Sequence, residues 1–132
     1  MRVFVDTNVF LDVILKREGF EESLIVLNAI EKGIFDGVVL DITILNIDYI
    51  AKKQVANIRE FLGFVNSVFE VCGASNEMIK AALEMDGKDL EDNLQYICAQ
   101  KSKCELLISN DKEFVISSIQ TFSSAEFVKK YL

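Results

Sequence analysis

The chain contains no histidine among its 132 residues. This absence excludes Ser-His-Asp and Cys-His triads, histidine-ligated metal sites and acid–base catalysis by imidazole. Any catalysis must therefore use carboxylates, lysines or hydroxyl groups, or a metal ion that is bound through oxygen ligands.

Cysteine is scarce, and long hydrophobic runs are missing. The three cysteines, Cys72, Cys98 and Cys104, are an odd number and form no C-x-x-C pair. This argues against a disulfide framework or a zinc knuckle, so we expect free thiols in a reducing cytoplasm. No apolar run approaches the roughly 18–20 residues that span a bilayer. Asp6 interrupts the short apolar N-terminus, so we expect neither a membrane segment nor a signal peptide.

The sequence also lacks proline, and it has no repeat or low-complexity stretch that would mark a linker. Its length suits one domain, and its 51% of hydrophobic residues is enough to build a core. We therefore expect a single domain over residues 1–132. The net charge of −7 argues against a broad nucleic-acid-binding face but not against a local basic rim.

Short apolar runs alternate with segments of helical periodicity along the whole chain. The predicted strands lie near residues 2–5, 37–40, 69–72, 105–108 and 119–122. The predicted helices lie near residues 9–14, 21–32, 43–53, 56–69, 76–85 and 89–103, with a last one after the S-x-x-E capping box at residues 123–126. Such alternation is typical of a parallel sheet covered on both faces. The predicted fold is an α/β/α sandwich of three layers with a central, mostly parallel sheet of about five strands.

Acidic residues follow the ends of the predicted strands. Asp6 ends the first strand in "RVFVD", and Asp111 follows the fourth strand in "LLISND". Ligands of open α/β sheets bind outside the carboxyl ends of the strands. If these two strands are neighbours, about 4.8 Å apart, their carboxylates crowd one sheet edge. The segment "DLEDNLQ" begins the preceding helix, where we expect Asp89 and Asp92 to share a face and Glu91 to point elsewhere.

Carboxylates held this close repel one another, and a divalent cation would relieve the repulsion. Mg²⁺ and Mn²⁺ favour carboxylate and water oxygens and take few protein ligands beside substrate phosphate. The pattern thus predicts a site for a hard divalent metal ion that also binds a substrate phosphate. Each acid also has a local alternative. Asp6 could only cap a helix, Asp92 could complement a helix dipole, and Asp111 could form a turn.

Three segments in series, "VDTNVFLD", "DLEDNLQYICA" and "LLISNDKEF", resemble the motifs of the PIN domain. The similarity covers essentially the whole chain and is closest to the short bacterial group that includes VapC-like toxins of type II toxin–antitoxin pairs. It implies the three-layer fold and an endoribonuclease that depends on Mg²⁺ or Mn²⁺. It also implies RNA as substrate and a small antitoxin as partner, and homodimers are common in the family.

The resemblance assigns metal binding and catalysis to Asp6, Asp92 and Asp111. It gives supporting positions to other polar residues of the motifs, namely Asn8, Asn46, Asp89, Glu91 and Ser109. The antitoxin of such a pair would lie in an apolar groove. One candidate is the helical stripe of Phe61, Phe64, Val65 and Val68, although burial in the core is the favoured explanation of this stripe.

One position departs from the family pattern. The segment "ITILNIDYIAKK" carries Asn46 where the family usually has a glutamate. Asp48 is two residues further on, about 200° around a helix, and should not substitute for it. We expect weaker metal binding, or a site that substrate phosphate completes. Two alternatives stay open: a catalytically degenerate PIN-like module that binds RNA or protein, and another Mg²⁺-dependent α/β protein, such as a phosphatase or a phosphoacceptor domain. The missing D-x-D motif argues against the latter.

Overall fold

The computed structural model describes residues 1–87, 89–112, 114 and 118–132. The strands are β1 (Arg2–Val5), β2 (Asp36–Leu40), β3 (Glu70–Cys72), β4 (Leu106–Ile108) and β5 (Gln120–Phe122). The helices are α1 (Thr7–Ile14), α2 (Phe20–Glu31), α3 (Asp41–Ala51), α4 (Ile58–Val68), α5 (Asn76–Glu84), α6 (Leu90–Lys101) and α7 (Ser124–Tyr131). Each predicted strand and helix is present, with ends that differ by a few residues.

The five strands form one parallel sheet in the order β3-β2-β1-β4-β5. The strand β1 lies at its centre and pairs with β4, so that Val5 is opposite Ile108. This confirms the expected adjacency of the strands that precede Asp6 and Asp111. It also brings the carboxyl ends of both strands to the same edge of the sheet.

Two apolar clusters cover the two faces of the sheet. Val3 and Val5 of β1 belong to one cluster and Phe4 to the other, because successive strand residues point to opposite faces. The first cluster receives buried residues of α1, α2, α3, α4 and α7, and the second receives those of α5 and α6. The three-layer α/β/α fold is confirmed.

The aromatic stripe of α4 belongs mainly to the core. Val65 is buried in the first cluster, and Phe61, Phe64 and Val68 are partly buried against it. All three cysteines are free, as expected. Within the described residues, no helix is both long and apolar enough to cross a membrane.

Candidate active site

The carboxyl ends of β1 and β4 open into a cavity of about 140 Å³. Its walls contain five carboxylates, those of Asp6, Asp89, Glu91, Asp92 and Asp111. Asn8 and Asn46 line it as well, and no lysine or arginine does so among the described residues. The sheet and the start of α6 thus bring together all the predicted acids. Their metal-binding and catalytic roles remain predictions.

Asp6 lies at the bottom of this cavity with only 2% of its surface exposed. Its Oδ1 accepts a hydrogen bond of 2.7 Å from Nε2 of Gln95, and its Oδ2 accepts one of 2.7 Å from Oγ of Ser109. Asn8 adds a long contact of 3.5 Å to Oδ2. The Asp6 side chain makes no capping hydrogen bond to α1, so the local alternative for this residue is wrong. Ser109 and Asn8, to which the resemblance gave supporting positions, both contact this carboxylate, and their supporting roles stay predictions.

The expectation that Glu91 points elsewhere is wrong. Its Oε2 accepts a hydrogen bond of 2.8 Å from Oγ1 of Thr7, and its Oε1 accepts one of 3.0 Å from Nδ2 of Asn46. Glu91 and Gln95 are four residues apart and share one face of α6, and this face is the one that packs over the start of α1. The longer glutamate side chain then spans the remaining gap to α3.

Two other acids of the cavity, Asp89 and Asp111, also make local contacts with the backbone. Asp89 is the N-cap of α6, because its Oδ1 accepts a hydrogen bond of 3.1 Å from the backbone N–H of Asp92. Asp111 does form a turn, in which its carbonyl accepts from the N–H of Phe114 at 3.1 Å. Its side chain nevertheless lines the cavity, so the turn and the site are compatible.

Burial and neighbouring carboxylates raise the pKa of two acids of the cavity, Asp92 and Asp6. Burial raises the pKa of Asp92 from its ordinary value of 3.8 to about 7, and the charges of Asp6, Asp89, Asp111 and Glu91 add to this. Burial also raises the pKa of Asp6, although the hydrogen bonds from Ser109 and Gln95 act in the opposite direction. A proton or a cation at this place would therefore be bound favourably.

The donor set suits Mg²⁺ or Mn²⁺, which prefer carboxylate and amide oxygens to nitrogen or sulfur. Across the described part of the chain, however, no three acidic side chains converge closely enough to form a complete metal cage. One or two carboxylates, with water and a substrate phosphate, satisfy the usual coordination of Mg²⁺. The residues present therefore fit a hard divalent ion that is held partly by its substrate.

Asn46 lies at the acidic cavity, at the place where the sequence predicted the family's glutamate position to be. Asn46 faces the cavity from α3, whereas Asp48 lies in a separate cleft beside Arg59. Asp48 therefore does not take the place of the missing glutamate, as expected from its rotation around the helix.

The loop that carries Ser109 and Asp111 is held by an asparagine that the sequence analysis did not identify. Nδ2 of Asn110 donates to Oδ2 of Asp12 at 2.8 Å and to Oγ of Ser23 at 3.0 Å. Its Oδ1 accepts from the backbone N–H of Ser124 at 2.8 Å. One side chain thus ties the β4 loop to α1, α2 and α7.

Gln95 and Thr7 were also missed as site residues. A weak signal existed for Gln95, because it follows Glu91 by four residues and so shares its helix face. For Thr7 the signal was its position directly after Asp6. Neither spacing indicates which atoms the side chains contact.

Comparison with known proteins identifies the family of the chain. A family model of the PIN domain matches residues 2–113. Ribonuclease VapC1 of Aquifex aeolicus (strain VF5) is 30% identical in an alignment that covers 98% of this chain and 95% of the relative. A chain in the crystal structure of VapBC2 from Rickettsia felis, bound to a DNA fragment from their promoter, has the same fold. Its TM-score is 0.69 at 17% identity, over 93% of this chain and 98% of that one. The chain belongs to the PIN domain family, within its VapC-like group.

Proposed function

We propose that the protein is a metal-dependent endoribonuclease and the toxin of a type II toxin–antitoxin pair. The observation that carries this proposal is the cavity lined by five carboxylates. Among the residues that the structure describes, no lysine or arginine lines it. Similarity to a ribonuclease over nearly the full length of both chains supports the same reaction.

Asp6, Asp92 and Asp111 are the residues that would hold Mg²⁺ or Mn²⁺, one or two of them directly and the rest through bound water. When bound, such an ion activates water and offsets charge on the scissile phosphate. Gln95 and Ser109 orient the Asp6 carboxylate by donating to its two oxygens, so this group needs little rearrangement during the reaction. The charge of the RNA at this point would be balanced by the ion, which would reconcile an acidic protein with an anionic substrate.

The proposed partner is a small antitoxin. The related VapBC2 is a complex by its name, and α3 of the present protein exposes apolar side chains beside the acidic cavity. Leu45 is 70% exposed, Tyr49 is 77% exposed, and the half-exposed Ile50 lines the cavity itself. A segment with apolar side chains and a basic residue would match both features. A homodimer remains the second expected assembly.

The alternative of a non-catalytic module rests on Asn46. The relative that matches over nearly its full length is named a ribonuclease, which favours catalysis. Cleavage by the purified protein therefore decides between the two.

The test is cleavage of total cellular RNA by wild type, Asp6→Asn and Asp48→Asn, with Mn²⁺ or Mg²⁺ and with a chelator. Asp48→Asn is the matched control, because it removes one carboxylate from α3 outside the cavity. We expect Asp48→Asn to cut like wild type, and Asp6→Asn or chelation to abolish cutting while circular dichroism stays unchanged. Equal cutting by wild type and Asp6→Asn, or cutting that survives chelation, would refute the proposal.

A further inference from the structure

The hydrogen bonds around Glu91 point to a role for this residue that rests on the proposed function. Asn46 on α3 donates to Oε1 of Glu91 at 3.0 Å, and Thr7 at the start of α1 donates to Oε2 at 2.8 Å. An ionised carboxylate only accepts hydrogen bonds, so the Thr7 hydroxyl proton must point to Glu91. The 2.8 Å contact between Thr7 and Thr43 is then donated by Thr43.

Asn46 and Thr43 are three residues apart on one face of α3; Asn46 donates to Glu91 directly, and the buried Thr43 donates to Thr7, which in turn donates to Glu91. A glutamate at position 46, as the family usually has, would bring a carboxylate to the same place from α3. Here the carboxylate comes from α6, and the asparagine holds it.

We infer that Glu91 supplies the negative charge that Asn46 lacks, and that Asn46 and Thr7 position the Glu91 carboxylate toward the metal site. In this arrangement Asn46 completes the site as a positioning residue, and its presence does not mark a degenerate site.

The competing explanation is that Glu91 only joins α6 to α1 and α3. Two features argue against a purely structural role. A carboxylate has about four acceptor sites, and hydrogen bonds of the described residues use two of them, so oxygen lone pairs remain for an ion or its water. Glu91 also stands among four other acids, with no salt bridge recorded for it in the described part of the chain. A glutamine would serve a structural role there without the repulsion.

The first experiment measures Mn²⁺ affinity by calorimetry with MnCl₂ alone, without RNA. Glu91→Gln keeps the shape of the side chain and removes its charge. We expect it to weaken Mn²⁺ binding by about tenfold or more, the range seen when groups around a metal site are lost. Asp48→Asn is the control for the loss of one charge, and its Mn²⁺ affinity should equal that of wild type.

The decisive variant combines Asn46→Asp with Glu91→Gln. This exchange keeps the number of heavy atoms and the amide–carboxylate hydrogen bond, and moves the charge back to α3. We expect its Mn²⁺ affinity to return to within about threefold of wild type, a residual change below 1 kcal/mol. The exchange variant also covers the case in which Glu91→Gln alone does not fold.

The outcomes separate the inference from the proposed function. Wild-type affinity in Glu91→Gln, or failure of the exchange to restore a lost affinity, overturns the role of Glu91, even if wild type binds Mn²⁺ and cuts RNA. A wild type that neither binds Mn²⁺ nor cuts RNA overturns the proposed function, and the inference with it. Loss in the single variant with recovery in the exchange variant supports both.

Discussion

Nε2 of Gln95 donates a 2.7 Å hydrogen bond to Oδ1 of Asp6, and the two side chains are 0% and 2% exposed. The orientation of the Gln95 amide is determined by its other end, where Oε1 accepts from the backbone N–H of Thr7 at 3.3 Å. The NH₂ group must therefore face the carboxylate. A buried acid at the end of β1 is kept in one geometry by a residue of α6.

Replacing Gln95 by methionine should affect both stability and cleavage. Asp6 loses a donor that is not replaced by water, which costs about 1–3 kcal/mol of unfolding free energy. Loss of a group that orients a metal ligand typically costs about 10–100-fold in activity. Urea denaturation and initial cleavage rates measure the two effects. The exposed Gln100 of the same helix, changed to methionine, should leave both unchanged, and a Gln95→Met variant that behaves like Gln100→Met would contradict this role.

The stability of the metal-free protein should fall as pH rises from about 4 to 7. The pKa of Asp92 is 3.8 ordinarily and about 7 in the folded protein, so in this window the folded state holds a proton that the unfolded state has lost. Above pH 7 both states are ionised and the full penalty for the buried charge is present. Asp92→Asn should remove this part of the slope.

At pH 8 we expect Asp92→Asn to exceed wild type in stability by on the order of 1 kcal/mol, after discounting for the partial exposure of Asp92. Near pH 4 the two should be similar. Urea denaturation at pH 4, 6 and 8 in a chelator measures the difference. A variant that is less stable than wild type at pH 8, or a wild type that gains stability between pH 4 and 7, would show that the sign is wrong.

A divalent ion should stabilise the protein more at high pH than at low pH, in the direction opposite to the effect of the Asp92 proton. An ion that binds only the folded state at 100 times its Kd adds about 2.7 kcal/mol of unfolding free energy. We expect Mn²⁺ to raise the Tm of wild type at pH 8 and to raise it less at pH 5, where protons compete for the carboxylates. Differential scanning fluorimetry detects the shift. The same shift in Asp6→Asn would mean that Mn²⁺ binds elsewhere.

The stability of the protein should be sensitive to a negative charge at position 110. Asn110→Ala removes three hydrogen bonds to α1, α2 and α7, and should lower the unfolding free energy by about 2 kcal/mol. Asn110→Asp should be worse, because it places a carboxylate against Oδ2 of Asp12, now 2.8 Å from the amide. Both should also slow cleavage, because the loop carries Ser109 and Asp111.

The control for Asn110 is Asn57→Ala, because Asn57 is exposed and its side chain makes no capping hydrogen bond to α4. We expect no loss of stability or activity there. If Asn110→Asp proves as stable as Asn110→Ala, repulsion from Asp12 is not the dominant effect.

The sequence by itself determined the alternating strands and helices and the position of Asp6 and Asp111 after strand ends. Those features depend on local patterns. Apolar runs such as residues 3–5 favour strands, and the capping box at residues 123–126 favours the start of α7, because both are preferences of neighbouring residues. Parallel pairing then places the carboxyl ends of neighbouring strands together.

Only the tertiary structure decided where Glu91 points and which donors hold Asp6. These contacts join residues 45 positions apart for Asn46 and Glu91, and 89 apart for Asp6 and Gln95. They depend on the rotation of α6 about its axis and on its distance from α1 and α3. Packing of the whole core sets both quantities, because a rotation of one residue, about 100°, would point a different side chain at the cavity.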